Sequence, residues 1–181
     1  MLIWIFKSRE AYFTYGANIG IPANAGGHWE PDKERLMIFH STDATADPYG
    51  TIFHETTHMI VYFATKLRGK PSGAMFWFTE GLATYFEPFE RDKATGHILQ
   101  QVGTVNGGRL PAISQWVKMS RHVKLKDLLS WRYQDFAQMN AQHNAKRDLA
   151  WGAYCYAEAW SVLYFFYNYE NGKYAAKFDE Y

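Results

Sequence analysis

Cysteine is scarce in this sequence: Cys155 is the one cysteine among 181 residues. A single cysteine excludes an intrachain disulfide framework and a cysteine-rich zinc knuckle, because both need several thiols. Charge of one sign is scarce too, since the formal net charge is +1 and no run of lysine or arginine stands out. We therefore expect no nucleic acid and no anionic membrane as partner.

Long apolar runs are also missing. The longest, such as 159–167 and 2–6, fall well short of the ~20 residues that cross a bilayer, so we expect no transmembrane segment. The N-terminus lacks the basic, apolar and small-residue regions of a signal peptide. Both ends resemble elements that are cut short, so we expect a domain excised from a longer protein and give the missing signal peptide little weight.

What the sequence does contain is apolar and aromatic side chains. Hydrophobic residues make up 48% of the chain and aromatic residues 18%, which excludes a disordered chain. A chain of this length is large enough to bury a core. We therefore expect one domain over residues 1–181.

The pattern of the chain changes near residue 50. Before it, apolar β-forming segments predict strands at Leu2–Lys7, His28–Glu30 and Arg35–His40, with a short helix that Ser8 caps. After it, apolar residues recur at helical spacing. The predicted helices are Thr51–Leu67, Phe76–Phe86, Pro111–Ser120, Leu125–Trp131, Arg147–Asn168 and a last one from Lys173. The fold class predicted from this order is α+β, with a strand and loop part (1–50) and a helical part (51–181).

The helix from Thr51 contains the HExxH pattern, His54-Glu55-Thr56-Thr57-His58. Residues four apart lie one turn apart on the same face of a helix, so both imidazoles can point at one metal ion. Glu55 lies about 100° round the helix from His54, where it can reach a metal-bound water without being a ligand. Zinc lowers the pKa of such a water towards ~7, and a nearby carboxylate can take its proton.

The alternative interpretation of this pattern is a surface helix with two solvated histidines. Apolar residues flank the motif on several sides, which predicts that the helix is largely buried. Two buried histidines beside a glutamate need a physical reason, and a metal ion supplies one. We therefore favour the metal interpretation.

A catalytic zinc takes three protein ligands and keeps one position open. No histidine follows His58 within the next residues, which excludes the metzincin pattern. The next helix offers Glu80, a lone acid among apolar residues. It could instead be a helix-start glutamate that the macrodipole favours. Gly81 weakens that alternative, because glycine is a poor helix residue unless the backbone approaches something closely.

HExxH followed at this distance by Trp77-x-x-Glu80-Gly81-x-Ala83-x-Tyr85 resembles the gluzincins, the clan of thermolysin-like and aminopeptidase-like metallopeptidases. Within that clan the chain resembles the bacterial domains of unknown function called DUF1570, also described as peptidase-MA-like. The resemblance covers most of the chain, but only the two metal motifs are specific.

The resemblance implies a zincin-like fold of the thermolysin type, a Zn2+ cofactor and a peptide or protein substrate. It makes His54, His58 and Glu80 the metal ligands and Glu55 the catalytic acid/base. It also implies a bacterial protein outside the cytoplasm, secreted, periplasmic or attached to the surface.

Gluzincins usually stabilise the oxyanion with a tyrosine or histidine from a later helix. The related domains carry Tyr-Ala-x-x-Trp there, which matches Tyr156 to Trp160 and makes Tyr156 the expected catalytic residue. Tyr154, two positions earlier, faces another direction on a helix, so both cannot serve. Both tyrosines could also be plain core aromatics. Cys155 between them is expected in the core rather than as a nucleophile.

Three weaker expectations concern the surroundings of the metal. Thr84 or Glu87 could accept the second N–H of a ligand histidine. Gly26 to Trp29 could be the edge strand that pairs with an extended substrate in these folds, but we favour the alternative that Gly26-Gly27 is only a turn. The remaining histidines have no partner at metal spacing and are expected to be structural or at the surface: His28, His40, His97, His122 and His143.

Two functions follow from these residues. The first is hydrolysis of peptide bonds by a zinc-bound water that Glu55 activates. The second is a non-catalytic module that keeps the zinc fold and binds protein or glycan at the cell surface through its many aromatic residues. The complete HExxH motif favours the enzyme. The sequence does not indicate the side-chain preference, the choice between endo- and exopeptidase action, or the oligomeric state.

Overall fold

The computed structural model describes the chain at residues 2–21, 25–40, 49–67 and 75–180. The chain separates into two compact units, residues 1–72 and 73–181. The described residues form a mixed α+β structure that is mainly helical and has two small sheets, so the predicted α+β class is confirmed. One zincin-like domain over the whole chain stays a prediction.

The first unit contains a three-stranded sheet and two α-helices. Its elements are β1 (Leu2–Phe6), α1 (Arg9–Ala17), β2 (Gly27–Glu30), a 3-10 turn (Pro31–Lys33), β3 (Arg35–Phe39) and α2 (Tyr49–Leu67). The strand order is β1-β3-β2, with β1 parallel and β2 antiparallel to β3. Both outer strands are therefore edge strands of this sheet. From the sequence, Gly69 and Pro71 are expected to end the helix that contains the HExxH pattern, and both lie outside the described residues.

The cap of α1 follows the sequence prediction. The Ser8 hydroxyl accepts a hydrogen bond from the Ala11 N–H at 3.2 Å, which satisfies one of the free donors at the helix start. Tyr12 then packs, fully buried, against Met37 of β3. Side chains alternate between the two faces of a strand, so Met37 marks the face of the sheet that α1 covers.

Helix α2 covers the opposite face of the sheet. Trp29 of β2 and Leu36 and Ile38 of β3 form a buried cluster there, against partly buried side chains of α2. Those side chains are Ile52, Met59, Tyr62 and Phe63. Ile52, Met59 and Phe63 belong to the apolar stripe predicted from helical spacing and pack on the sheet. Ile60, which the prediction placed in the same stripe, is exposed instead.

The second unit is helical except for one hairpin. Its elements are α3 (Phe76–Tyr85), β4 (Phe89–Arg91), β5 (Ile98–Gln100), α4 (Arg109–Lys118), α5 (Leu125–Ser130), α6 (Tyr133–Ala145), α7 (Trp151–Asn168) and α8 (Ala175–Asp179). Helices α3 and α7 supply most of its core, and α4, α5 and α6 add Trp116, Leu128 and Phe136.

Two elements of this unit are absent from the sequence prediction, and one differs in length. The hairpin β4–β5 lies in a segment with no clear pattern. Helix α6 is largely polar and buries only Phe136, so it has no apolar stripe to detect. The last long helix begins at Trp151 instead of Arg147, because Arg147 has a left-handed backbone (φ 62°) that separates α6 from α7.

Gly81 sits where α3 comes closest to α7. A Cβ at this position would lie 2.6 Å from the Ala159 carbonyl oxygen and 2.6 Å from Leu163 Cδ2. The sequence prediction that the backbone approaches something closely at Gly81 is therefore confirmed, and the neighbour is the backbone of α7. Among the described residues, no helix combines the length and the apolar character required to cross a membrane.

Gly81→Ala should destabilise the protein. The added methyl group meets a backbone carbonyl, which cannot rotate away, so we expect overpacking to lower the free energy of unfolding by about 1–3 kcal/mol. The gain in helix propensity from glycine to alanine, about 1 kcal/mol, only partly offsets this loss. Urea denaturation of the two proteins measures the difference.

Gly107→Ala is the matched control. A Cβ at Gly107 meets nothing within 4 Å, so its effect should stay within about 0.5 kcal/mol. A Gly81→Ala protein as stable as the wild type would show that α3 and α7 do not need this close contact.

Candidate metal centre

Helix α2 brings His54 and His58 together as the sequence predicts. The two residues lie one turn apart and are half-buried. Their Nε2 atoms are 3.1 Å apart, and the rings stand nearly perpendicular at a centroid separation of 4.8 Å. The two nitrogens are therefore close enough to share a hydrogen bond, and close enough to bind the same ion when both are unprotonated.

Glu55 is turned from the two histidines towards the sheet. Its carboxylate oxygen Oε2 accepts a hydrogen bond from the backbone N–H of Trp29 in β2 at 2.9 Å. Gly27 makes room for this approach: a Cβ there would lie 3.1 Å from Glu55 Cγ and 2.9 Å from Thr51 Cγ2. The carboxylate predicted as general base is thus fixed by the edge strand of the sheet.

Tyr12 of α1 lies within electrostatic range of Glu55, and no sequence pattern predicts this proximity. Burial raises the pKa of the Tyr12 phenol well above its usual value, and the charge of Glu55 raises it further. Its hydroxyl is buried and has no hydrogen-bond partner among the described residues. Tyr12 therefore stays neutral and adds no competing charge beside Glu55.

His28 of β2 lies in the same electrostatic environment. Burial lowers the pKa of His28 and the charges of His58 and Arg35 act in the same direction, while Glu55 and Glu30 oppose them. A structural or surface role was predicted for His28, because no metal-binding residue stands at a suitable spacing from it in the sequence. In the structure His28 is half-buried on the strand that binds Glu55. The proximity of His28 to Glu55 could not be predicted, because the two residues are far apart in the sequence.

Glu80 lies on α3 in the second unit and is only 4% exposed. The first turn of α3 contains no acidic residue, since Glu80 comes one turn after the helix start at Phe76. The macrodipole effect is confined to the first turn, so the helix-start explanation does not account for this glutamate. A carboxylate at this depth needs hydrogen-bonding or cationic partners.

The two tyrosines of α7 face different neighbours, as their spacing predicts. The Tyr156 ring packs edge-on against Phe76 of α3 at 5.6 Å between centroids, and the Arg109 guanidinium lies 5.7 Å from its centre. The Tyr154 ring instead stacks on Trp116 at 4.3 Å. Tyr156 therefore contacts the helix that carries Glu80 and the first residue of α4, whereas the Tyr154 ring stacks farther along α4.

The Tyr154 hydroxyl is engaged on that other side. It donates a hydrogen bond to Gln115 Oε1 at 3.2 Å. Together with the stacking on Trp116, this contact anchors Tyr154 to α4. The choice of Tyr156 over Tyr154 as a catalytic candidate stays a prediction.

Thr84 and Glu87, the two weaker candidates for orienting a histidine, have contacts inside the second unit. The Thr84 hydroxyl is close to two carbonyl oxygens of its own helix, Glu80 at 2.7 Å and Gly81 at 2.9 Å. Glu87 accepts hydrogen bonds from Arg109 Nη2 at 2.8 Å and Asn106 Nδ2 at 2.9 Å.

Asn106 and Arg109 therefore belong to the surroundings of α3, although the sequence analysis did not single them out. Asn106 is buried and also donates to the Thr84 carbonyl at 3.2 Å. Arg109 connects Glu87 to the face of Tyr156. Nothing in their local sequence pattern marks either residue.

The remaining histidines and the cysteine take structural or surface positions. His40, His97 and His122 are exposed, and His143 stacks on Trp151 and contacts the Asp148 carboxylate at 3.1 Å. Cys155 is fully buried in the core of the second unit, and burial raises the pKa of its thiol. Its predicted place in the core is confirmed.

The described residues thus define the class of the molecule: an α+β protein in which one helix presents two histidines to a common point and a glutamate to a strand edge. Residues 49–180 match the family model described as a protein of unknown function, DUF1570, and the chain belongs to that family. The match begins at the first residue of α2 and includes α3 and α7. No curated protein and no solved structure matches the chain.

Glu158, on the same helix as Tyr156, is a second buried acid with a structural role. Its Oε2 accepts a hydrogen bond from the Val123 N–H at 3.0 Å, which ties the connection before α5 to α7. Burial raises the pKa of Glu158, and the Val123 bond and the charge of His122 only partly oppose this effect.

The raised pKa of Glu158 predicts a pH-dependent stability. The folded protein holds this proton more tightly than the unfolded chain, so the contribution is complete below the unfolded pKa of about 4.5 and is lost as the pH rises through the folded pKa. Glu158→Gln keeps an acceptor for Val123 but cannot ionise.

We therefore expect the wild type to lose stability relative to Glu158→Gln as the pH rises through this window. Urea unfolding of both proteins at several pH values measures the difference. A constant difference between the two proteins from below pH 4 to pH 8 would contradict the assignment.

Proposed function

We propose that the chain is a zinc-dependent metallopeptidase of the gluzincin type, with a zincin-like fold and peptides or proteins as substrates. In this proposal His54, His58 and Glu80 bind the zinc, Glu55 is the general base and Tyr156 stabilises the oxyanion. The extracytoplasmic location implied by the family resemblance belongs to the same proposal.

The distance between the two histidine nitrogens is the observation that carries the proposal. Two nitrogens bound at about 2.0–2.1 Å to a tetrahedral zinc lie roughly 3.3 Å apart, and the Nε2 atoms of His54 and His58 are 3.1 Å apart. Imidazole nitrogen is also a preferred zinc donor. The pair therefore fits two positions of one zinc without rearrangement.

Glu80 is the third ligand in this proposal, as the family resemblance implies. Its burial, one turn after the start of α3, gives a carboxylate that a cation would stabilise. Two histidines and a glutamate are a donor set that catalytic zinc uses, with a fourth position left for water or substrate.

The bound zinc would act as a Lewis acid, making water more acidic and polarising the peptide carbonyl. Glu55 would take the proton of the attacking water at its carboxylate and deliver it to the nitrogen of the leaving amine. Tyr156 would donate its hydroxyl hydrogen to the oxygen that gains negative charge. In the free protein the bond from the Trp29 N–H holds this carboxylate at the edge of β2.

Zinc content and peptide hydrolysis test the proposal together. The wild type should bind one zinc per chain and cleave members of a mixed peptide library, and a chelator should abolish cleavage. Glu55→Gln should keep the zinc and lower kcat by about 10²–10⁴, the range that general base catalysis contributes. Mass spectrometry of the products and of the bound metal measures both quantities.

A pair of histidine variants controls for the metal site. His58→Ala should lose zinc and activity together, while His97→Ala, an exposed histidine of the β4–β5 hairpin, should keep both. Full activity in the Glu55→Gln protein would contradict the mechanism. Bound zinc without any hydrolysis would instead support the non-catalytic binding module.

The two tyrosines of α7 offer a matched pair for the oxyanion role. Tyr156→Phe should lower kcat by about 10²–10³, as removal of one oxyanion donor does elsewhere, with little change in KM. Tyr154→Phe should leave kcat unchanged, because this hydroxyl contacts Gln115. Steady-state kinetics on one cleaved peptide measures both, and equal effects of the two variants would rule out a specific role for Tyr156.

A further inference from the structure

The outer edge of β2 presents backbone groups that β3 does not use. β2 pairs with β3 on one side, and within the described ranges no strand pairs with its other side. N–H groups alternate between the two sides along an antiparallel strand, so those of Gly27 and Trp29 point outward. The bond from the Trp29 N–H to Glu55 shows this direction.

The Glu55 side chain, which comes from α2, is bonded to the outer edge of β2. Its Oε2 accepts the Trp29 N–H at 2.9 Å, and its Cγ would lie 3.1 Å from a Cβ at Gly27. The hydrogen bond has an ionised acceptor, which makes it stronger than one between neutral groups. In the absence of substrate, the carboxylate is therefore docked on the strand.

An extended peptide that pairs with this edge needs the same donor. Strand addition uses the outward N–H and C=O groups of the edge strand, and on β2 these belong to Gly27 and Trp29. A substrate carbonyl placed opposite Trp29 would therefore compete with the Glu55 carboxylate for one N–H.

We propose that the Trp29 N–H passes from Glu55 to the substrate when a peptide binds. In the free protein this N–H restrains Glu55; in the complex it holds a substrate carbonyl, and Glu55 is released to receive the proton of the water. This inference rests on the proposed peptidase function. It makes Trp29, through its backbone, a positioning residue that couples substrate binding to the mobility of Glu55.

Two variants that cannot catalyse the reaction measure the free energy of breaking the bond between the Trp29 N–H and residue 55 when a peptide binds. Glu55→Gln keeps an oxygen that accepts the Trp29 N–H, whereas Glu55→Ala removes the acceptor. A peptide cleaved by the wild type should therefore bind zinc-loaded Glu55→Ala about threefold to tenfold more tightly than zinc-loaded Glu55→Gln, since a hydrogen bond of about 1 kcal/mol need not be broken. Isothermal titration calorimetry measures both dissociation constants.

Thr51→Ala in the Glu55→Gln background is the matched control. Thr51 lies one turn before Glu55 on α2 and also contacts the Gly27 region, but it is not the acceptor of the Trp29 N–H. Shortening it should leave the peptide affinity of the Glu55→Gln protein unchanged. A gain as large as that of Glu55→Ala would show that space at the edge, and not the hydrogen bond, controls binding.

Hydrogen exchange of the Trp29 amide gives a second readout that is independent of activity. Without peptide, this amide should exchange at least about tenfold faster in Glu55→Ala than in Glu55→Gln, because its acceptor is missing. The peptide should restore its protection in Glu55→Ala. Exchange that the peptide leaves unchanged would overturn the inference, because the N–H would then not bind the substrate.

The outcomes distinguish this inference from the function on which it rests. If cleavage requires zinc and Glu55 but the two variants bind the peptide equally, the transfer of the Trp29 N–H from Glu55 to the substrate is wrong and the peptidase function remains. If the wild type cleaves no peptide, both the peptidase function and the transfer are wrong. Tighter binding by Glu55→Ala together with restored protection of the Trp29 amide would support the transfer.

Discussion

Close contact between a helix and a neighbouring backbone is the constraint on which the packing of each unit depends. In the first unit, the missing side chain of Gly27 lets Glu55 of α2 reach the edge of β2. In the second unit, the missing side chain of Gly81 lets α3, the helix that carries Glu80, lie against the backbone of α7. In each unit a candidate functional acid thus lies at or next to a contact that leaves little room for a Cβ. A Cβ at Gly27 would crowd Glu55, and one at Gly81 would crowd the backbone of α7.

The parts of the site that depend on local periodicity could be predicted from the sequence. The convergence of His54 and His58 needs only one helical turn, and the opposite directions of Tyr154 and Tyr156 need only their spacing of two. Gly81 could be interpreted in the same way, because a glycine within a helix loses stability unless a close contact requires it. The strands of the first unit and the Ser8 cap were predictable for the same local reasons.

The parts that depend on tertiary packing could not be predicted. Tyr12 and His28 come within electrostatic range of Glu55 only because α1, β2 and α2 pack around one sheet. Asn106 and Arg109 join Glu87 across the hairpin β4–β5, a segment without a clear pattern. Helix α6 escaped prediction because most of its surface is polar, so its place in the fold depends on one buried residue, Phe136. In each of these cases the signal lies in contacts between segments that are distant in sequence.

The contrast between Glu55 and Glu158 bears on the choice between an enzyme and a binding module. Glu158 is buried, holds the Val123 N–H and is pushed by its burial towards the neutral form, which is the behaviour of an acid retained for structure. Glu55 is half-buried and bonded to an edge strand. A proton carrier must be able to meet water, which the half-buried Glu55 can do and the buried Glu158 cannot. The proposed peptidase needs such an acid and a module that only binds does not, so Glu55 is the residue that separates the two proposals.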